Sequence, residues 1–96
     1  MDGNERVSLQ SSVKICDDVV SRDLEGEAVI LNLETGTYFG LNEVGTRIWT
    51  LIQEHESLNR VFEAIRQEYE VSPEALEGDL LRIIDELRTK GLVSVL

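Results

Sequence analysis

A change of apolar period along the chain predicts an α+β fold, a three-stranded antiparallel sheet followed by a three-helix bundle. Up to Leu41 the apolar residues fall in short β-branched or alternating runs, and beyond it they recur every three or four residues. Single Gly and Pro residues mark the joins. The 96 residues suit one such domain, since a second core would need roughly 50 residues of its own.

Residues 1–11 are polar and aperiodic, with Val7 and Leu9 as anchors, and read as a flexible N-terminal arm ahead of a domain over 12–96. Val13, Ile15, Val19 and Val20 are β-branched and interrupted by Asp17-Asp18, which predicts two short strand pieces with a turn or bulge between them. Ala28 to Leu33 follows the loop-like Glu25-Gly26-Glu27 and is the strongest strand. Glu34-Thr35-Gly36 then turns the chain, with glycine where a positive φ is needed, and Thr37 to Leu41 returns as the second arm of a hairpin.

Asn42 is placed to cap a first helix carrying Val44, Ile48, Trp49, Leu51 and Ile52 and ending near His55. Ser57 heads a second, with Leu58, Val61, Phe62, Ile65 and Tyr69 at helical spacing. Ser72-Pro73 opens a third, because Pro at the first helical position lacks only an N–H that would be unpaired anyway. Taken at about 100° per residue, Leu76, Leu80, Ile83 and Leu87 share one narrow face, Ile84 stands at its border and Leu81 lies off it. Lys90-Gly91 ends the helix, and Leu92 to Leu96 is left to seal the core or to add a stub of strand.

The charge balance excludes some functions. Nineteen acidic residues against nine basic ones leave a net charge of −10, a poor match to the phosphates of nucleic acid. The excess is spread, with nine acids and four bases over residues 1–48 and ten and five over 49–96. Three helices beside a hairpin make a winged helix-turn-helix-like arrangement. The third helix, however, sets Glu74, Glu77, Asp79, Asp85 and Glu86 against Arg82, Arg88 and Lys90, a poor composition for reading a DNA groove. No apolar run reaches membrane-spanning or signal-peptide length, and the single Cys16 forms no internal disulfide, so a cytoplasmic protein is expected.

Groups for catalysis are sparse. His55 is the only histidine and sits at an expected helix end, where it complements the helix dipole. Cys16 lies beside two carboxylates that disfavour a thiolate. The seven glycines are scattered singly, so there is no phosphate-cradling loop. The expectation is a binding protein, with no cofactor, no metal and no enzyme activity.

The hairpin carries more information. A meander leaves an edge, and Thr37 to Leu41 is short and lacks the Lys or Pro that protects edges, so an extended peptide can add to it as a strand. Tyr38 and Phe39 also fit ordinary strand residues, one in and one out. Leu81 fits the margin of a wide apolar face as well as it fits a groove wall. An open edge also allows pairing with a second copy.

The stretch from Gly26 to Trp49, GEAVILNLETGTYFGLNEVGTRIW, resembles the PqqD-like peptide-recognition domains. The resemblance rests on an apolar strand, a Thr-Gly turn, aromatic residues, and Leu-Asn followed by a helix with Gly and Ile-Trp. It continues through Val61 to Tyr69 and Lys90-Gly91-Leu92-Val93, covering about residues 13–95. It implies a RiPP recognition element, which captures the leader segment of a ribosomally made precursor peptide. Such a domain is most similar to the discrete leader-binding proteins of lasso peptide biosynthesis, whose partner is a leader peptidase or another modifying enzyme. Carried onto this sequence, the leader pairs with the main chain of Thr37, Tyr38, Phe39, Gly40 and Leu41. It packs on the third helix, with pocket contributions from Leu81, Ile84, Asp85 and Arg88. A PqqD-like peptide chaperone of quinone cofactor biosynthesis and a winged-helix DNA- or protein-binding regulator are the alternatives.

Overall fold

The computed structural model describes residues 7–96. Its elements are β1 (Val13–Ile15), β2 (Val19–Leu24), β3 (Glu27–Asn32), β4 (Tyr38–Gly40), α1 (Glu43–His55), α2 (Leu58–Glu68), α3 (Pro73–Thr89) and β5 (Val93–Val95). The architecture is α+β, with a three-stranded antiparallel sheet in the order β2-β3-β4 and three helices after it. Residues 1–6 of the N-terminal arm lie outside the described residues; Val7 is buried and Leu9 packs on the core.

The first hairpin is tighter than its sequence suggested. Leu24 pairs with Glu27, and the two loop residues Glu25 and Gly26 have φ of 57° and 86°, the twist that matches flanking strands. Asp23 Oδ1 accepts the Gly26 N–H at 2.8 Å. In the second hairpin the Gly36 N–H returns to the Asn32 carbonyl at 2.8 Å, with φ of 76° at Gly36.

The two strand pieces expected over Val13 to Val20 both form, with a turn between them, and they belong to different sheets: β1 pairs antiparallel with β5, Val13 opposite Val95 and Ile15 opposite Val93. The turn at Cys16–Val19, closed at 3.2 Å, separates the two pieces, and the alternating Val93-Ser94-Val95 supplies the partner.

All three helices begin at the expected caps. Asn42, Ser57 and Ser72 accept from the N–H groups of Gly45, Arg60 and Ala75. α3 ends in two bonds of the Schellman type, Leu92 N–H to the Leu87 carbonyl at 2.9 Å and Gly91 N–H to Arg88 at 3.0 Å. Gly91 adopts φ of 76° there, a conformation that costs a side-chain-bearing residue strain.

The core joins Ala28 and Ile30 of β3 to Ile48, Trp49, Leu51 and Ile52 of α1, Leu58, Val61 and Ile65 of α2, and Leu76, Leu80, Ile84 and Leu87 of α3. The buried arc of α3 is thus centred near Leu80. Ile84 lies inside it, while Ile83, expected in the core, is only half-buried at its margin.

Candidate functional site

Two backbone hydrogen bonds determine which way the edge strand offers its main chain. The Asn32 N–H donates to the Thr37 carbonyl and the Leu41 N–H to the Ala28 carbonyl, both at 2.8 Å. Opposed residues in an antiparallel ladder alternate between bonded and non-bonded pairs, so Phe39 bonds inward to its partner Ile30. The N–H and C=O groups of Tyr38 and Gly40 therefore face away from β3. β4 is a strand with four outward backbone groups and no neighbour of its own sheet on that side.

The side chains alternate as well. Phe39 is half-buried against the core, while Tyr38 is 72% exposed and Gly40 is open. A Cβ built on Gly40 would meet nothing within 4 Å, so this glycine relieves no crowding within the chain.

α3 forms the second wall. Phe39 and the α3 residues Asp85, Glu86 and Thr89, with Lys90 beyond them, line an open cavity of about 390 Å³. Lys90 Nζ stands 5.3 Å from the Phe39 ring centroid, a cation–π contact across the groove. Arg88 Nη2 bonds Asp85 Oδ1 at 2.6 Å. Of the residues expected in the site, Phe39 is thus brought together with Asp85, Tyr38 and Gly40 flank Phe39 in β4, and Arg88 adjoins through Asp85.

Two expected members are corrected. Ile84 is 0% exposed, so its side chain belongs to the core and offers no pocket surface. Leu41 is buried and its N–H is already bonded to Ala28, so it ends the edge and is not part of it. Leu81 is half-buried and packs on the core from the flank of α3. Thr37 is exposed, but its carbonyl is taken by Asn32, and Phe39 bonds inward to Ile30, so the expected pairing of a leader with the main chain of these two residues is corrected as well.

A second cavity, past the end of β4, is a feature that periodicity did not reveal. An apolar cavity of about 330 Å³ opens between α1, the α2–α3 connection and α3, with Asn42 at its rim. Val44, Tyr69, Val71, Ala75 and Ile83 line it, and the Asp79–Arg82 pair, joined at 2.9 Å, stands at its polar side. Its residues come from three elements far apart in sequence. The available signal was apolar Val44 and Val71 at positions that remain 39% and 46% exposed.

The outer face of the sheet, opposite the helices, is also apolar. Val20, Leu24 and Tyr38 are exposed and Val29 and Leu31 are half-buried beside them, with Arg22 and Glu27 as the charged members. Among the described residues no cluster of His, Cys, Asp and Glu is arranged to hold a metal ion, and no helix is long and apolar enough to cross a membrane.

The family model for coenzyme PQQ synthesis protein D (PqqD) matches residues 27–93. The chain belongs to the PqqD family. That span runs from β3 through β4 and the three helices to β5, and so contains both walls of the groove. Among curated proteins no relative matches. Two solved structures are similar to this PqqD-family chain. One, "TbiB1 in Complex with the TbiA(beta) Leader Peptide", is 43% identical with a TM-score of 0.81, covering 84% of this chain and 94% of that one. The other, "Lasso peptide synthetase B1 complexed with the leader peptide", shares the fold at 20% identity, with a TM-score of 0.78 and coverage of 86% and 98%.

Proposed function

We propose that this PqqD-family chain is a non-catalytic cytoplasmic binding protein that captures the leader segment of a ribosomally made precursor peptide by strand addition to β4. It then presents the leader to a leader peptidase in lasso peptide biosynthesis. The observation that carries this reading is the 43% identity, over most of both chains, to a protein solved with a leader peptide bound. The outward backbone groups of Tyr38 and Gly40 supply the pairing. Phe39, Asp85 and Arg88 supply side-chain contacts along α3, and the cavity beyond Asn42 takes an apolar anchor. In this reading the sheet and helices form a winged-helix-like domain turned to peptide recognition.

The apolar outer face of the sheet is then the surface left for the peptidase. It is continuous with the leader strand through Tyr38, and a strand added to β4 widens it from three strands to four. Val20→Glu leaves leader affinity unchanged and lowers leader cleavage about tenfold if the peptidase docks there.

The test of the main reading is titration of a synthetic cognate leader, followed through backbone amide shifts. Shifts concentrated in β4 and α3 at micromolar leader support it. A cognate leader that leaves β4 unperturbed overturns it. The family match itself favours one second reading, a peptide chaperone for coenzyme PQQ synthesis. Selective binding of a PQQ precursor peptide over a lasso leader decides for that alternative.

A further inference from the structure

Two polar side chains are buried among the described residues, Asn32 at 5% and Thr46 at 7% exposed, and they stand at opposite ends of the edge strand. Buried polar groups are stable only when bonded, and both are. Thr46 Oγ1 accepts the Ala28 N–H at 2.8 Å and donates to the Leu41 carbonyl at 3.4 Å, tying the far end of β4 to α1. Asn32 holds the near end. Its Oδ1 accepts the N–H groups of Glu34 and Thr35 in the hairpin turn, at 2.8 and 3.2 Å. Its Nδ2 donates to the Gly91 carbonyl at 3.1 Å, across 59 residues of chain. With both turn N–H groups needing an acceptor, the amide has one orientation that satisfies all three bonds.

We infer that Asn32 is a positioning residue for the groove, because it ties the β3–β4 turn to the glycine that caps α3 and so sets the spacing between the two walls. This rests on the leader-binding reading only for what fills the groove. β4 has three residues and a hydrogen-bonded neighbour on one side, an arrangement that frays readily. An added strand needs its partner about 4.8 Å away and its side chains against α3 at the same time, so a wall that wanders lowers affinity. The tether reaches α3 at a fixed point. Gly91 presents its carbonyl from the Schellman turn, and a Cβ there would approach Asn32 Nδ2 to 3.4 Å.

Asn32→Asp tests this, since it keeps the volume and the two turn bonds while setting a carboxylate oxygen against the Gly91 carbonyl. At a temperature where it is fully folded, cognate leader affinity falls at least tenfold. Asn32→Ser, whose hydroxyl serves the turn but is too short for Gly91, shows the same loss and stands in where the Asp variant does not fold. Val61→Ala destabilises the α2 core away from the groove and binds as wild type, which separates positioning from general stability. In the free protein the Asn32 and Gly36 amides of both Asn32 variants exchange at least tenfold faster, while Leu41 at the Thr46 end keeps its protection. Wild-type affinity in both Asn32 variants, or unchanged exchange at Asn32 and Gly36, overturns the inference. A wild-type chain that ignores its leader overturns the leader-binding reading instead, and the exchange result still decides the tether.

Discussion

β2 and β4 are both open edges of one sheet, yet they differ in length, charge and surroundings. β2 runs six residues and carries Arg22 and Asp23, whereas β4 runs three, Tyr-Phe-Gly, and carries no charge. Charged residues discourage unplanned pairing at an edge, and the short uncharged strand is the one without that protection. β4 also faces α3 across the groove that Phe39 and Lys90 bridge. A peptide added there gains a main-chain ladder on one side and side-chain contacts on the other. What distinguishes a binding edge from a bare one is therefore the second wall.

The largest effect should come from the same substitution made on each edge. The pairing registers turn the N–H groups of Gly40 and Ser21 outward, so proline at either position spares the β3 ladder. Gly40→Pro removes a donor to the leader and sets its ring in the leader's path. Leader affinity should fall at least tenfold by calorimetry, a loss of ~1.4 kcal/mol or more. Ser21→Pro gives up the Trp49 Nε1 bond to Ser21 Oγ, at a cost of about 1 kcal/mol in stability, and leaves leader affinity unchanged.

Phe39→Ala sharpens the role of the second wall. Removing a half-buried ring should cost about 2 kcal/mol of stability in denaturant unfolding. It also removes the Lys90 contact, so leader affinity should drop several-fold under conditions where the variant is folded.

The smallest effect belongs far from either edge. Arg47 bonds Glu68 through two nitrogens, at 2.9 and 2.6 Å, and joins α1 to α2. That hydrogen bond, ahead of the opposing desolvation, holds the Glu68 carboxyl below its usual range. The pair's stabilisation is present above the unfolded carboxylate range and is lost as pH falls through the lowered folded value. Both partners are about a third exposed, so solvent screening keeps it to ~0.2–1 kcal/mol. Arg47→Ala should flatten the acid limb of stability against pH by that amount, with leader binding untouched.

Much of the scaffold is legible in the chain because its signals are local. A cap at Asn42, Ser57 or Ser72 is read from one residue and the pattern behind it, and the β3–β4 hairpin from a Gly between two apolar runs. Pairing of Val13 with Val95 is not local, and three-residue strands carry too little pattern to name their partners. Helical period gives the width of the α3 apolar arc but not its centre, which packing sets, and so Ile83 and Ile84 exchange roles. Asn32 reads only as a member of the strand Ala28 to Leu33, since nothing nearby indicates that its amide reaches Gly91. The cavity beyond Asn42 assembles from three elements and has no signature in any one of them.

Strand addition is tested most directly by amide hydrogen exchange at the two edges, with and without saturating cognate leader. The Tyr38 and Gly40 amides, unbonded within the sheet, should become strongly protected on binding. Those of Ser21 and Asp23 on β2 should exchange as before. Tight leader binding that leaves Tyr38 and Gly40 unprotected, or that protects β2 instead, would contradict strand addition to β4.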